Sequence, residues 1–503
     1  MTLPFFLIIA GAWFGFANPL YHVPPMALLF PAGLILLSLR TATVGTGFRT
    51  GWLAGSMAYA AALYWIVIPV HVYGGFPLIL ALPCPLLLGF YMGLYPGLFC
   101  MLVRWSRDRL SWPLAGLLAA CGWTVLELVR GWLFTGFPWL VLPSAFSPWP
   151  LVLQASAFTG TFILAGLLVL PCAWLIMARG HRLAVAGSLL LFAALTGYGF
   201  FELRQPLPEG DSLSVGIIQG NIDQNLKWDD KYQDATVDHY LQLSRELIAD
   251  HDPDLLVWPE TALPFYFQDD GPLSRKVREF TAAHEVLLLV GAPGYEPGEV
   301  DYAYFNRAFL VGPDGSVQGT YDKQHLVPFG EYVPLRPLFP FMSKLVSGVG
   351  DFEAGSHDGP LTHANLALGV LICYETIFPE LTVKRVAQGA NVLVNISNDA
   401  WFGASSAPWQ HLHLAVLRAV EQQRYLIRAT NTGISACIDP RGNVLNPSPL
   451  FETSSIYCST IHMMTQTTFF NRYHTALHAG TFLTLALIMA YGVMKNRNRA
   501  KRF

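Results

Sequence analysis

Three short segments carry reactive side chains where a core would not want them. Trp258-Pro259-Glu260-Thr261 closes one run on a carboxylate. Tyr321-Asp322-Lys323-Gln324-His325 carries an ammonium and leads into Val327-Pro328-Phe329-Gly330-Glu331. Ile372-Cys373-Tyr374-Glu375 presents a thiol. A nucleophile, a base and a cation together make an acyl-transfer site. The thiol is mostly protonated at neutral pH, so it needs a base or a lowered pKa. Lysine is a compact cation suited to a developing oxyanion, and such a donor is typically worth ~3–4 kcal/mol when removed. Taken singly, a Glu after a strand is more often a cap, a Lys is usually solvated and a Cys usually packs. The combination is what points to chemistry.

The elements around these residues read as α/β. Residues 214–219, 254–258, 286–291, 308–312, 367–372 and 391–396 are short β-branched or leucine-rich runs. Helical patterns lie between several of them, at 233–249, 273–284, 379–388 and 409–428. Strands alternating with helices predict a sheet covered by helices. Pro313-Asp314-Gly315 and Asp439-Pro440-Arg441-Gly442 are turns between strands. Sites in such sheets are built at strand ends, where Glu260, Lys323 and Cys373 fall.

This block is only part of the chain. Of 503 residues, 53% are hydrophobic and 13% charged, about half the charge of an average soluble domain. With a mean hydropathy of +0.40, a disordered chain is excluded and a wholly soluble one is not expected. A net charge of −3 gives no basic face for nucleic acid. Acidic residues are almost absent before residue 200 and become common from Glu202 to about Glu452. A membrane span needs about 20 mainly apolar residues. Seven candidates precede residue 205, at 3–20, 24–44, 51–70, 76–103, 113–134, 150–177 and 183–201, and an eighth lies at 476–494. The expected domains are a membrane domain over 1–205, a catalytic domain over 211–462, a last span over 476–494 and a basic tail over 495–503.

Loop charges give the sidedness. Arg40 and Arg49, then Arg104, Arg107 and Arg109, then Arg179 and Arg182 occupy every second loop, and the tail holds Lys495, Arg497, Arg499, Lys501 and Arg502. The intervening loops 21–25, 71–75 and 135–149 hold no Lys or Arg. That alternation is what the positive-inside rule produces. It predicts both ends in the cytoplasm and the α/β block outside it. Inside the fifth span, Glu127 and Arg130 share one helix face. Ionisable groups at that depth are costly and mark either function or a mutually neutralising packing pair. Gly136-Phe137-Pro138-Trp139 follows as an aromatic turn at the outer interface.

In order and separation, WPE, YDKQHLVPFGE and CYE resemble the Glu-Lys-Cys triad of the nitrilase superfamily. The membrane spans, Trp123–Glu127–Arg130 with GFPW, and the run Asn395 to Gly403 resemble one branch of it, the bacterial apolipoprotein N-acyltransferases. So do Gln410-His411, Arg418-Ala419, Glu421, Arg424, Arg428-Ala429 and Asn431-Thr432-Gly433. The resemblance spans essentially the whole chain. It implies an αββα sandwich outside the cytoplasmic membrane, carried by about eight spans. It implies that Cys373 forms a thioester with a fatty acyl group, that Glu260 is the general base and that Lys323 stabilises the oxyanion. Glu331 and Glu375 would hold Lys323 or the substrate amine, while Trp228 and Tyr374 would help bind lipid or acceptor. The donor would be a phospholipid and the acceptor the α-amino group of a diacylglyceryl-cysteine at the head of an apolipoprotein. The reading calls for no cofactor and no metal, a monomer among membrane lipids, and no nucleic acid. A membrane-tethered amidase would use the same triad with water, and a transporter with an outer sensor domain would need broken helices at the midplane.

The remaining motifs weigh less. His474 and His478 are four apart but lack an HExxH pattern, and His411 and His413 are expected to be structural or at the surface. Cys437 reads as an inert buried strand residue. Residues 329–352 hold Pro334, Pro337 and Pro340 among Phe339, Phe341, Met342, Leu345 and Val346. So many apolar side chains on a soluble domain predict a mobile arm that dips into the outer leaflet beside the triad.

Overall fold

The computed structural model describes residues 2–16, 18, 21–207, 210–298, 302–332, 352–357 and 359–500. The core of the expected arm, 333–351, lies outside the described residues. The chain forms two compact units: Met1–Val67, Leu78–Gln205 and Thr468–Phe503 in one, Ile68–Pro77 and Pro206–Thr467 in the other.

The first unit is helical: α1 (Thr2–Gly15), α2 (Leu29–Leu39), α3 (Val44–Ala62), α4 (Leu78–Ala81), α5 (Cys84–Ser106), α6 (Trp112–Trp132), α7 (Ser156–Met177) and α8 (Arg182–Arg204), joined later by α13 (Phe469–Ala500). Among the described residues five helical stretches are long and apolar enough to cross a membrane: Leu78–Ser106, Trp112–Thr135, Leu153–Met177, Arg182–Arg204 and Phe469–Asn498. α1 has 14 residues and α2 has 11, short of a straight crossing. Small residues set the packing. Gly51 and Gly55 of α3 meet α5 at Cys100 and Pro96, and Gly89 and Gly93 of α5 meet α3 at Ser56, too close for any Cβ. Close backbone approach through small residues is how helices associate where water gives no apolar drive.

The Glu127–Arg130 pair sits in α6 with both side chains buried. Arg130 Nη2 lies 3.7 Å from Glu127 Oε1. Trp123 Nε1 and the Leu142 amide donate to that same oxygen at 3.0 and 3.2 Å. Arg130 Nη1 donates to the Tyr59 hydroxyl at 2.7 Å. The pair therefore ties α6 to α3 and to the loop after α6.

The second unit holds two six-stranded sheets. One has the order β12-β1-β2-β3-β4-β5, the other β11-β10-β9-β8-β7-β6. The first contains β1 (Ser212–Gln219), β2 (Leu255–Val257), β3 (Leu287–Pro297), β4 (Tyr302–Val311), β5 (Val317–Asp322) and β12 (Ser454–His462). The second contains β6 (Leu361–His363), β7 (Leu366–Ile372), β8 (Val392–Ser397), β9 (Leu426–Thr430), β10 (Ala436–Ile438) and β11 (Val444–Leu445). β1-β2-β3 and β7-β8-β9 are parallel, with antiparallel neighbours outside them. Four helices complete the unit: α9 (Asp230–His251), α10 (Pro272–Ala283), α11 (Pro379–Ala387) and α12 (Ala407–Gln422).

Strand alternation builds two cores. Val215, Ile217, Leu255, Val257, Leu287 and Leu289 pack toward Leu368, Val370, Ile372, Val394 and Ile396 of the other sheet. Their neighbours Ile218, Leu256, Leu288 and Val290 pack under α9 and α10, against Val237, Tyr240, Leu241, Val277 and Phe280. Period-two side chains buried on both faces explain why the parallel strands read as unbroken apolar runs. The layering is α-β-β-α.

Two expectations are corrected. The helix expected over 409–428 ends at Gln422, because Gln423 takes a left-handed conformation (φ 48°). β9 then begins at Leu426. Cys437 is not an isolated core thiol: it forms a disulfide with Cys458, 21 residues on. The bond joins β10 of one sheet to β12 of the other, a neighbourhood that only sheet stacking creates.

Candidate active site

Each triad candidate follows a strand of this sandwich. Glu260 comes three residues after β2, Lys323 directly after β5, and Cys373 directly after β7. Cys373 has φ 52°, an uncommon conformation for a residue with a side chain, and such strain gathers at functional sites. It opens the short 3-10 turn Cys373–Ile377, so the chain bends sharply at the thiol.

Glu260, Lys323 and Glu331 form one buried cluster. Lys323 Nζ lies 2.9 Å from Glu331 Oε1 and 3.6 Å from Glu260 Oε1. Asn306 Nδ2, in the middle of β4, donates to both carboxylates, at 2.7 Å to Glu260 Oε1 and 2.9 Å to Glu331 Oε1. The Val327 amide donates to Glu331 Oε2 at 2.8 Å. Lys323 is also registered by its main chain, whose N–H donates to the Asn306 carbonyl at 2.9 Å. Glu260 Oε2 is buried and has no hydrogen-bond partner among the described residues. Buried polar atoms are nearly always paired, so this lone oxygen marks the cluster out.

The electrostatics divide the labour. Burial would strip Lys323 of its proton, but the Glu331 and Glu260 carboxylates outweigh it and hold the ammonium charged. Burial pushes the Cys373 thiol up to about 12, Glu260 adds to the rise, and Lys323 opposes it. Cys373 is thus a neutral thiol at rest within electrostatic reach of both. It becomes a nucleophile only as a base removes its proton.

Glu375 and Tyr374 are both buried beside the thiol. Glu375 is fully buried; its hydrogen bonds brace main chain, and the Lys323 charge acts on it as well. It accepts from the amides of Gln324 at 2.7 Å, His325 at 3.1 Å and Ile372 at 2.7 Å, and from the Tyr321 hydroxyl at 2.8 Å. Arg385 Nη2 donates in turn to that hydroxyl at 2.7 Å. The brace joins the segment after Lys323 to the segment before Cys373. Tyr374 is buried in an aromatic cluster, with ring centroids 5.1 Å from Phe378 and 5.8 Å from His325. Trp228 stands apart from the triad contacts. It lines a cavity of about 430 Å³ with Gln233, Pro264, Phe265, Tyr266 and Pro293, and its indole N–H has no partner among the described residues.

A second buried cluster grips the main chain of Cys373. Asn395 Nδ2 donates to the Cys373 carbonyl at 3.3 Å, and His411 Nε2 lies 3.2 Å from the same oxygen. His411 Nδ1 is 3.0 Å from Asp399 Oδ1, which also accepts from Ser397 Oγ at 2.9 Å. Arg428 Nη2 donates to Asp399 Oδ2 at 2.7 Å, and its Nη1 donates to Asn395 Oδ1. Burial alone would raise the Asp399 carboxyl; Arg428 and His411 outweigh it and hold it well below the usual carboxylate range. His411 is therefore structural, as expected, and not at the surface. Sequence reasoning missed the support given by Asn306, Asp399, His411 and Arg428. For His411 and Arg428 the available signal was a polar residue inside an otherwise apolar element. Among the described residues no three His, Cys, Asp or Glu side chains gather as metal ligands.

Residues 214–465 match the model of the carbon-nitrogen hydrolase family, and residues 10–175 match that of the apolipoprotein N-acyltransferase N-terminal domain. An apolipoprotein N-acyltransferase of Geobacter metallireducens is 39% identical over 93% of this chain and 90% of its own length. One of Nitrosomonas europaea is 36% identical over 88% of each chain. A crystal structure of a carbon-nitrogen hydrolase from Helicobacter pylori overlaps 49% of this chain and 88% of its own at 17% identity, with a TM-score of 0.37. With both halves matched and identity sustained over nine-tenths of its length, the chain belongs to the apolipoprotein N-acyltransferase family, on a nitrilase-like α/β unit joined to an apolar helical one.

Proposed function

We propose that the protein transfers a fatty acyl chain from a phospholipid to the α-amino group of a diacylglyceryl-cysteine at the head of an apolipoprotein, in two half-reactions through Cys373. In the first, Sγ of Cys373 attacks the ester carbonyl while Glu260 Oε2 takes the thiol proton. The Lys323 ammonium, held by Glu331, stabilises the oxyanion. Collapse forms the thioester and expels the lysophospholipid oxygen, which leaves with the proton from Glu260. In the second, the acceptor amine attacks the thioester, Glu260 takes a proton from the amine, and the Cys373 sulfur departs with it. An amide and a free thiol result. The observation that carries this reading is the Glu260–Lys323–Glu331 cluster, whose single unpaired carboxylate oxygen accompanies a strained, neutral thiol.

Sidedness completes the proposal. The catalytic unit lies on the periplasmic side of the bacterial inner membrane, where the acceptor is generated. The alternating arginine loops support this, and so does the Cys437–Cys458 disulfide, since such bonds persist in oxidising compartments. The test uses phospholipid labelled in its acyl chain, with and without an amine-bearing diacylglyceryl peptide. The label should move to the peptide amine. Release as free fatty acid at the same rate, with or without the peptide, would make the protein a hydrolase instead.

A further inference from the structure

Lys227 sits in the turn between β1 and α9, next to Trp228, and its side chain is 1% exposed. Its Nζ donates to the main-chain carbonyl of Glu260 at 3.2 Å. Its own amide is anchored on the Asp223 carbonyl at 3.1 Å. Lysine is almost never fully buried unless it is paired. An apolar side chain of similar length would fill the space without desolvating a charge. Two features of the site account for a cation here. The carbonyl it grips belongs to the base and precedes Thr261, whose φ of 48° makes the turn an uncommon one. The charge count around the base is also unbalanced without it. Glu260 faces Glu331, Lys323 and the Cys373 thiol, which itself feels Asp399. Two carboxylates thus share one lysine.

We infer that Lys227 is a positioning residue for acyl transfer: its buried ammonium fixes the main chain of Glu260 and adds a positive charge beside that carboxylate. The inference rests on the reading of Glu260 as the base. Burial brings the Lys227 ammonium down to about 8, with Glu260 opposing the fall, so the charge is present at neutral pH. Removing a cation near a carboxylate makes that carboxylate hold its proton more tightly. The base would then be spent at a higher pH.

The test follows the rate of acyl-enzyme formation against pH, using purified full-length protein and a phospholipid donor. In Lys227→Met the acid limb should move up by about half to one pH unit, so that at a pH on that limb the rate falls by about three- to tenfold at unchanged KM for the donor. Lys227→Arg should keep the limb where it is. A Lys227→Met profile matching the parent would overturn the inference, as would a loss confined to KM. A limb displaced equally in Lys227→Arg would assign the effect to shape and also refute it. If neither variant folds, Lys227 is a core residue only. Glu260→Gln run alongside separates the two readings: acylation retained there sinks the base assignment itself.

Discussion

Cys373 lies between two buried clusters, one that grips its main chain and one that acts on its thiol through charge, and their carboxylates differ in one respect. At its main-chain end, Asp399 has both oxygens engaged, Oδ1 by His411 and Ser397 and Oδ2 by Arg428. In the other cluster, Glu260 has Oε1 engaged by Asn306 and Lys323, while Oε2 has no partner among the described residues. A saturated carboxylate gains nothing by moving a proton and serves to hold shape. A half-engaged one has a lone pair available and a neighbour ready to balance its charge. Burial and ion pairing do not separate the two clusters, because both have them. Saturation does. By that measure Glu375, with three amides and a hydroxyl on its oxygens, belongs with Asp399.

The comparison is sharpest at Glu260. Glu260→Gln keeps the Asn306 contact in outline but cannot accept the thiol proton. Acyl-enzyme formation should fall about 10⁴-fold, as when a triad carboxylate is replaced by its amide, with the thermal midpoint little changed. Single-turnover labelling at the parent rate would remove Glu260 from the base role. Lys323→Met should cost less, about 10²–10³-fold, the usual loss of one oxyanion donor. Added salt should not restore it, since the ammonium is buried.

Asp399→Asn tests the other end and should show the reverse pattern. The amide loses the charged partner of Arg428, so stability should drop by about 1.5–3 kcal/mol while the chemical step slows far less than in Glu260→Gln. The pH dependence has a definite sign. The Asp399 carboxyl is depressed in the folded protein, so its contribution is complete above its unfolded pKa of about 3.9 and is lost as pH falls through the lower folded value. Parent and variant should therefore differ most at neutral pH and converge in acid, as read by unfolding in detergent. A gap that widened in acid would contradict the assignment.

Much of this was legible beforehand for a physical reason. Glu260 and Cys373 each end an apolar run and Lys323 directly follows a strand, and a reactive group at a strand end is conspicuous in sequence. Glu127 and Arg130 were legible because three residues make one helix face. Asn306 was not, because a neutral amide within β4 shows no sign of touching two carboxylates. Lys227 was hidden for the opposite reason: a lysine in a polar turn reads as solvated. Asp399, His411 and Arg428 come from a turn, α12 and β9, and only the fold gathers them. The same holds for Cys437 and Cys458, which meet because two sheets stack. The end of α12 was misplaced because Gln423, not a glycine, takes the left-handed position.

The claim on which the rest depends is that Cys373 carries the acyl group. The direct measurement incubates the full-length protein with a phospholipid, omits the acceptor, and maps the modification by mass spectrometry. The account predicts one fatty acyl mass on the peptide containing Cys373, labile to hydroxylamine as a thioester is, and consumed when the diacylglyceryl peptide is added. It also predicts that Cys373→Ala, folded and inserted, shows neither label nor transfer. Transfer that proceeds in Cys373→Ala, or an acyl group that accumulates on another residue and chases into product, would contradict it.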